Sequence, residues 1–419
     1  MAVVAITGMG AVSALGADAA ALERGLREGR RGIGAVTLFA TSGYRCAIAA
    51  QVEGLRAETE RSSGAAGWDA LTRADRMGLQ AAAEALADAG LGEGAAASVA
   101  GERFAVAFGG GNGGVDRAEG YFDAARARGE RAADVRDLVS VNCSTTADAI
   151  AARHGLAGPR VTLMTACSSS ANAIATGADL LALGRADAVL AGGADALCRL
   201  VFGGFNALRA LDPAPCRPFD RGRAGLTLGE GAAFVVLEPL ARARARGARV
   251  HALLLGAGNT MDAHHLTAPA PDGAGAARAM RAALAAAARA LGVAPEELAA
   301  RVGYVNAHGT GTPHNDAAEA AALHAVFGAR AAELPVSSSK SQLGHCLSAA
   351  GALEAVVTVR ALAGGFLPAT VGLGEADPAC ALGHVRVPRA ARVDVALSSS
   401  FAFGGSNTAL VLAGPEVAP

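Results

Sequence analysis

One cysteine, Cys167, stands where a predicted strand turns into a predicted helix. It lies in "VTLMTACSSSANAIATGADLLALG" (161–184), where an apolar run precedes it and small apolar residues follow at helical spacing. The free amides and positive dipole end of a helix N-terminus stabilise a thiolate. Cys167 is therefore a candidate nucleophile, with its own amide in an oxyanion hole. Taken alone, it also fits a small buried residue without chemistry.

A histidine ends a second predicted strand. In "VGYVNAHGTGTPHND" (302–316), His308 enters a loop of small and hydroxyl residues, and Glu319 falls in the helix that follows. The motif also resembles a metal site made of His308, His314 and Asp316. It lacks the helical i, i+4 pair that zinc enzymes use, so we expect no metal here.

The third motif, "SSSKSQLGHC" (337–346), contains the only lysine of the chain. Lysine and arginine together number 37, so the other 36 basic residues are arginines. A planar guanidinium cannot replace a compact ammonium in a tight site. We therefore expect Lys340 to be buried and paired with Glu319, and His345 to lie across the glycine turn from Lys340.

The fourth motif, "SSSFAFGGSNTALVLAG" (398–414), places a Phe-x-Phe-Gly-Gly loop between two predicted strands. Gly404 and Gly405 permit unusual backbone angles or the close approach of a ligand. Alone, the motif also fits an ordinary hairpin connection.

Short apolar runs alternate with alanine-rich helical stretches along the whole chain, which predicts an α/β layered architecture. The polar, arginine-rich stretch 238–250 suggests a division into an N-terminal half, residues 1–245, and a C-terminal half, residues 246–419. The first half carries Cys167, and the second carries both histidines and the glycine loop. No residue-level repeat between the halves is evident.

Composition excludes several classes of protein. The net charge of −1 gives no reason to expect a nucleic acid or an anionic membrane as partner. No stretch reads as a membrane span. The seven cysteines form no CxxC pair, which argues against a disulfide framework and for the reducing cytoplasm.

Taken together, the four motifs resemble, in order and spacing, the β-ketoacyl-acyl-carrier-protein synthases of the thiolase-like superfamily. The similarity covers nearly the whole chain and is closest to the KAS II-like elongating enzymes and to ketosynthase subunits of dissociated polyketide systems. It implies a thiolase-like αβαβα fold of two pseudo-equivalent halves. It also implies an acyltransferase that joins malonyl-carrier protein to a cysteine-bound acyl chain by decarboxylative Claisen condensation in fatty-acid elongation.

Three alternatives remain open at this point. The enzyme can instead serve a type II polyketide or polyene pathway. A non-catalytic chain-length factor is disfavoured because such partners lack the nucleophilic cysteine. A thiolase is disfavoured because its second catalytic cysteine lies in a glycine loop, whereas Cys380 lies in "ADPACALGHV".

The resemblance implies a role for each motif residue. Cys167 would carry the acyl chain, and His308 and His345 would donate hydrogen bonds to the enolate oxygen. Lys340 and Glu319 would fix the geometry and protonation of the histidines. The remaining implied residues are the Cys167 and Phe403 amides of the oxyanion hole, the pantetheine-binding Thr310 and Thr312, and the acyl gate of Phe401 and Phe403.

The resemblance also implies a partner and one departure. An acyl carrier protein would bring the phosphopantetheine arm, so no metal or organic cofactor is expected. Carrier proteins are acidic and the net charge of this chain is near zero, so attraction must be local, and Arg73, Arg76 and Arg209 are the candidate docking residues unless they are ordinary solvated arginines. The enzyme would form a homodimer, or a heterodimer with a ketosynthase-like subunit. Ala402 stands where the family has glycine in its Phe-Gly-Phe-Gly-Gly gate, which leaves the gate's movement open.

Overall fold

The computed structural model describes residues 3–55, 71–92 and 99–417. The longer α-helices pack around one large sheet. The strands are β1 (Val4–Ser13), β2 (Ile33–Ala35), β3 (Ile48–Ala50), β4 (Phe104–Gly109), β5 (Arg160–Leu163), β6 (Ala188–Asp195), β7 (Gly231–Pro239), β8 (Ala252–Met261), β9 (Val302–Asn306), β10 (Pro335–Ser337), β11 (Phe366–Leu367), β12 (Gly383–His384), β13 (Arg389–Ala390), β14 (Val395–Phe401) and β15 (Ser406–Ala413). The α-helices are α1 (Ala19–Arg27), α2 (Arg73–Asp88), α3 (Val115–Arg128), α4 (Thr145–His154), α5 (Ser169–Ala182), α6 (Arg199–Ala207), α7 (Leu240–Ala245), α8 (Ala274–Leu291), α9 (Pro295–Arg301), α10 (Pro313–Phe327), α11 (Lys340–Leu343) and α12 (Ala350–Gly364).

The large sheet of eleven strands consists of two similar sets of five, with β12 added at one edge beside β10. Its order is β12-β10-β9-β14-β15-β8-β1-β7-β6-β4-β5, and β1 pairs antiparallel with β8 where the sets meet. One set reads β10-β9-β14-β15-β8, and the other, read from the opposite edge, reads β5-β4-β6-β7-β1. If the five strands of each set are numbered in chain order, both sets have the spatial order 3-2-4-5-1. Their directions match as well, because β4 is parallel to β5 and β6 as β9 is to β10 and β14. The predicted pseudo-equivalence of two halves is therefore confirmed.

The helices complete a five-layer arrangement. α5 and α12 pack against each other and contact strands from both sets, so they form the central layer. α2 covers β1 and β7 on one outer side, and α8 covers β8 and β15 on the other. A capping box begins α2, with Thr72 and Asp75 each bonding the other's backbone amide. The αβαβα architecture expected from the resemblance is confirmed.

A short repeat, absent from the sequence-based expectations, explains how the outer helices pack so closely. β1 contains Gly8-Met-Gly10 and β8 contains Gly256-Ala-Gly258. A Cβ added at Gly8 would lie 2.2 Å from the Ala85 carbonyl oxygen of α2, and the corresponding distance from Gly256 to α8 is 2.4 Å. Only glycine permits this approach, so the same Gly-x-Gly device serves both halves.

One helical segment, which includes α12 of the central layer, has the length and hydropathy of a membrane span. Leu347–Gly364 is long and apolar enough to cross a bilayer, with a mean hydropathy of 1.4, but 83% of it is buried inside the protein. The expectation that no stretch would have this length and composition was wrong. The segment is apolar because it lies between the two sets of strands.

Candidate active site

Cys167 lies on a tight turn between β5 and α5. A short 3₁₀ segment, Ala166–Ser168, joins the two elements, and Ala166 adopts a left-handed conformation with φ of 48°. The Ser169 hydroxyl bonds the Ala166 carbonyl at 2.7 Å and accepts the Thr165 amide at 2.9 Å, which secures the turn. The predicted position of Cys167 at the start of a helix is confirmed.

The thiol of Cys167 is largely shielded from solvent. Burial raises its pKa to about 12, although the Lys340 ammonium and a hydrogen bond from the Phe403 amide oppose the increase. The sequence-based expectation of a thiolate stabilised by the helix start is therefore wrong for the resting site, because desolvation of the sulfur dominates. The Phe403 amide is hydrogen-bonded to Sγ in this resting site, so it lies close to where the carbonyl oxygen of a thioester attacked by Cys167 would be.

His308 is held by the residues around its loop. The Glu319 carboxylate accepts the backbone amides of His308 at 2.8 Å and Gly309 at 2.7 Å. Burial raises the pKa of Glu319 to about 8, although these two bonds oppose the rise. Glu319 therefore positions the backbone of the histidine loop.

Lys340 is buried, as predicted, but its partner is not the predicted one. Its ammonium forms an ion pair with Glu354 of α12, and it bonds the His308 carbonyl at 2.6 Å. The expected pairing with Glu319 is wrong because the Glu319 oxygens are occupied by backbone amides of the histidine loop. One signal in the sequence pointed to Glu354, since it is the only charged residue between 347 and 359.

Both histidines are assigned the same tautomer from their partners. The Lys340 ammonium lies 3.2 Å from Nδ1 of His308, and the Leu347 amide donates to Nδ1 of His345 at 3.2 Å. An ammonium and an amide both donate, so each Nδ1 accepts and each Nε2 carries the hydrogen. Burial and the Lys340 charge hold both pKa values well below the usual range, so both rings are neutral.

The two histidines and Cys167 face one cavity of about 500 Å³. The histidine rings are 5.3 Å apart, centroid to centroid, and nearly perpendicular. Thr310 and Thr312 line the same cavity, and their hydroxyls are 2.8 Å apart. The structure therefore brings together two neutral N–H donors, a sulfur and two hydroxyls.

The two phenylalanines of the C-terminal motif border this cavity. Phe401 is buried with its ring 5.6 Å from that of His308, whereas Phe403 is 38% exposed. Phe403 stacks on Phe205 of α6 with centroids 6.0 Å apart, a contact that the sequence did not predict. The loop is also tied to the facing segment, since the Gly404 amide donates to the Leu266 carbonyl at 2.8 Å.

The residues that the metal-site and thiolase alternatives would use differ in burial and bonding. His308 is buried and His314 exposed, while the carboxylate of Asp316 accepts the Phe219 and Gly311 amides. No group of three or more potential metal ligands is found in residues 3–55, 71–92 and 99–417. Cys380, the cysteine considered for a thiolase, is fully buried in a 3₁₀ turn and does not line the cavity.

The three arginines predicted to dock a carrier protein differ in their surroundings. Arg73 forms a bidentate ion pair with the buried Glu230, and its role as a docking residue stays a prediction. Arg76 is partly buried on α2. Arg209 is exposed and lines the cavity mouth, as a docking residue requires.

With this geometry established, comparison with known proteins decides the family. Residues 1–243 match the model for the beta-ketoacyl synthase N-terminal domain, and residues 251–374 match the model for its C-terminal domain. The chain belongs to the beta-ketoacyl synthase family. It is thus a ketosynthase of fatty-acid or polyketide synthesis, a C–C bond-forming acyltransferase.

Individual relatives agree with this assignment. The ketosynthase is 40% identical over 411 residues to "Nodulation protein E" of Rhizobium meliloti, covering 97% of this chain and 98% of the relative. It is 36% identical over 420 residues to "3-oxoacyl-[acyl-carrier-protein] synthase 2" of Coxiella burnetii, covering 98% of each.

Solved structures show the same similarity. "The ishigamide ketosynthase/chain length factor" matches with a TM-score of 0.91 and 35% identity over 99% of both chains. A type II polyketide ketosynthase solved with its acyl-carrier protein matches with a TM-score of 0.86 and 27% identity, again over 99% of both chains.

Proposed function

We propose that this ketosynthase catalyses decarboxylative condensation of malonyl-carrier protein with an acyl chain held on Cys167, as a step of fatty-acid elongation. One observation carries the proposal. Two neutral histidines, each with its Nε2 hydrogen set by a buried donor on Nδ1, line the cavity that contains a cysteine sulfur bonded by the Phe403 amide.

Acylation comes first. The Cys167 sulfur attacks the thioester carbonyl of an acyl-carrier protein, and the Cys167 and Phe403 amides stabilise the negative oxygen of the tetrahedral intermediate. The intermediate then expels the pantetheine sulfur. The proton leaves the cysteine thiol and ends on the pantetheine thiol, so the step is balanced. The raised pKa of Cys167 agrees with a thiol that loses its proton only as it reacts.

Condensation follows in the same cavity. Malonyl-carrier protein loses carbon dioxide, and the Nε2–H groups of His308 and His345 stabilise the enolate oxygen. The enolate carbon attacks the acyl-cysteine carbonyl and forms the new C–C bond. Collapse of the intermediate releases the cysteine sulfur, which takes up one proton. Thr310 and Thr312 bind the amides of the pantetheine arm in the same cavity.

A ketosynthase subunit of a dissociated polyketide or polyene pathway is the second candidate. The similarity to a ketosynthase/chain length factor structure favours it. In either case we place the protein in the cytoplasm, with an acyl carrier protein as its substrate-bearing partner, no metal or organic cofactor of its own, and a second copy or a ketosynthase-like subunit as its dimer partner.

The test is a reaction of the purified protein with acyl- and malonyl-carrier proteins. The proposal requires one carbon dioxide for each 3-oxoacyl product, two carbons longer than the acyl chain. Fatty-acid elongation predicts a single extension by the protein alone, whereas the polyketide role predicts repeated extension that needs a ketosynthase-like partner. Absence of both products would overturn the proposed chemistry.

A further inference from the structure

A buried aspartate outside the cavity is bonded to the turn that carries His345. Asp195 is the last residue of β6 in the N-terminal set of strands, and Ser348 lies three residues after His345 in the C-terminal half. Both are 1% exposed. One oxygen, Oδ2 of Asp195, accepts the Ser348 hydroxyl at 2.7 Å and the Ser348 amide at 3.2 Å.

The rest of the carboxylate is bonded to its own half of the protein. Oδ1 of Asp195 accepts the Ala196 amide at 3.1 Å, and the Asn112 amide also donates to the carboxylate. The Gly111 backbone lies against the pair, since a Cβ added there would be 2.5 Å from Oδ2 of Asp195 and 3.0 Å from Cβ of Ser348. Asp195 is thus held firmly, and Ser348 is held by Asp195.

Leu347, which directly precedes Ser348, explains why this anchor matters. Leu347 adopts a left-handed φ of 48°, a conformation that a leucine keeps only when its surroundings impose it. In this conformation its amide donates to Nδ1 of His345. That bond leaves the hydrogen on Nε2, from which His345 would donate a hydrogen bond to the enolate oxygen.

We infer that Asp195 is a positioning residue for His345: through Ser348 it maintains the Leu347 turn and thereby the Nε2–H donor of the histidine. The inference rests on the proposed condensation. It predicts a larger defect in carbon dioxide release than in acylation, because Ser348 and Leu347 bond to the His345 turn, whereas the Asp195 charge acts on Cys167 only by raising the pKa of its thiol.

The test separates the two half-reactions in Asp195→Asn. The carboxylate of Asp195 accepts hydrogen bonds on both oxygens, whereas an asparagine has an NH₂ group in place of one oxygen. That NH₂ group would face an N–H or O–H donor, so the Leu347 turn should shift. We expect kcat for carbon dioxide release to fall about tenfold or more at unchanged KM. Acylation of Cys167 in a single turnover should not slow, because the loss of the Asp195 charge removes one influence that raises the pKa of the thiol.

Two further variants keep the result decisive. Ser348→Ala should lower carbon dioxide release in the same direction but less, and it serves alone if Asp195→Asn does not fold. The double variant should be no slower than Asp195→Asn, because both residues act through one contact. The control is Asp75→Asn, which alters an equally buried carboxylate that accepts the Thr146 hydroxyl at 2.6 Å and the Thr72 amide at 2.9 Å.

Each outcome has a distinct meaning. Equal losses of acylation and carbon dioxide release, unchanged rates in both Asp195→Asn and Ser348→Ala, additive losses in the double variant, or the same selective loss in Asp75→Asn would overturn the inference. A wild-type enzyme that neither acylates nor condenses would instead overturn the proposed function.

Discussion

The Lys340 ammonium and the Glu354 carboxylate form an ion pair with only 2% and 3% of their side-chain surfaces exposed. Burying such a pair costs desolvation, so it is weak evidence for stability. Its position is more informative, because the same ammonium contacts both Nδ1 and the carbonyl of His308. The pair therefore fixes which ring nitrogen of His308 carries the hydrogen.

Replacing Lys340 with arginine should impair condensation strongly. A planar guanidinium does not fit the space of the ammonium, and it would push on the loops of His308 and His345. A displacement near 1 Å can reduce the rate on the order of a hundredfold. We expect a folded Lys340→Arg protein with near-normal melting and acylation of Cys167 largely intact, measured in single turnovers beside full condensation. Wild-type condensation would mean that the lone lysine is an accident of composition.

The matched variant Glu354→Gln keeps the shape of the partner and removes its charge. Breaking a buried pair leaves an uncompensated ammonium, which destabilises proteins by about 3–5 kcal/mol. We expect the free energy of unfolding in urea to fall by an amount in that range, with carbon dioxide release reduced. An unchanged unfolding curve would show that the ion pair is not maintained in solution.

His308 and His345 should remain neutral through the pH at which histidine usually gains its proton. Burial lowers both pKa values, and the Lys340 ammonium lowers them further, so protonation is displaced to more acidic pH. NMR spectra of protein with labelled histidines test this, with the two resonances assigned by His308→Gln and His345→Gln. Both should stay at their neutral shifts as pH falls through about 6.5, while free histidine in the sample titrates. If either ring gained its proton at the same pH as the free histidine, the neutral-donor mechanism would be contradicted.

How much the sequence could predict depended on the range of the interaction. Cys167 was predicted because its evidence is local, a strand followed by helical spacing. The burial of Lys340 was predicted from its uniqueness among 36 arginines. Its partner was not, because Glu319 and Glu354 are both acidic residues in helices. The isolation of Glu354 in an apolar segment is a weak signal, and the packing of α12 against the site decides between the two.

The same reasoning explains two other features that the sequence did not predict. The ion pair of Arg73 could not be predicted because its partner Glu230 is 157 residues away along the chain. The pKa of Cys167 was misjudged because helix position is visible in the sequence and desolvation is not. The two-half architecture was predicted from the family resemblance, although the shared Gly-x-Gly in β1 and β8 was available as direct evidence.

Ala402 should slow the opening of the gate. The residue has an ordinary backbone conformation, whereas Gly404 and Gly405 have φ values of 88° and 81°. Alanine therefore fits the present loop and restricts only its rearrangement. Glycine is more permissive by roughly 0.5–1 kcal/mol, so Ala402→Gly should accelerate acylation by long acyl chains about two- to fivefold. Single-turnover acylation with short and long chains measures this, and an unchanged rate for long chains would show that residue 402 is not a hinge.

Arg209 should contribute to recognition of the acidic carrier protein. It is exposed at the cavity mouth, and the near-zero net charge of the chain means that attraction must be local. Arg209→Glu should raise KM for carrier-bound substrates, more strongly at low salt because salt screens exposed charges. Arg289→Glu, on the last turn of α8 and away from the cavity lining, is the control. Equal effects of the two variants would argue against a docking role.

The acyl-enzyme itself gives the most direct test of the account. The protein is incubated with an acyl-carrier protein, digested, and its seven cysteines are examined by mass spectrometry. The account predicts an acyl group on Cys167 alone. It also predicts that Cys167→Gln carries no acyl group and yet releases carbon dioxide from malonyl-carrier protein, because His308 and His345 remain. An acyl group on Cys143, Cys198 or Cys346 with Cys167 unmodified would contradict it.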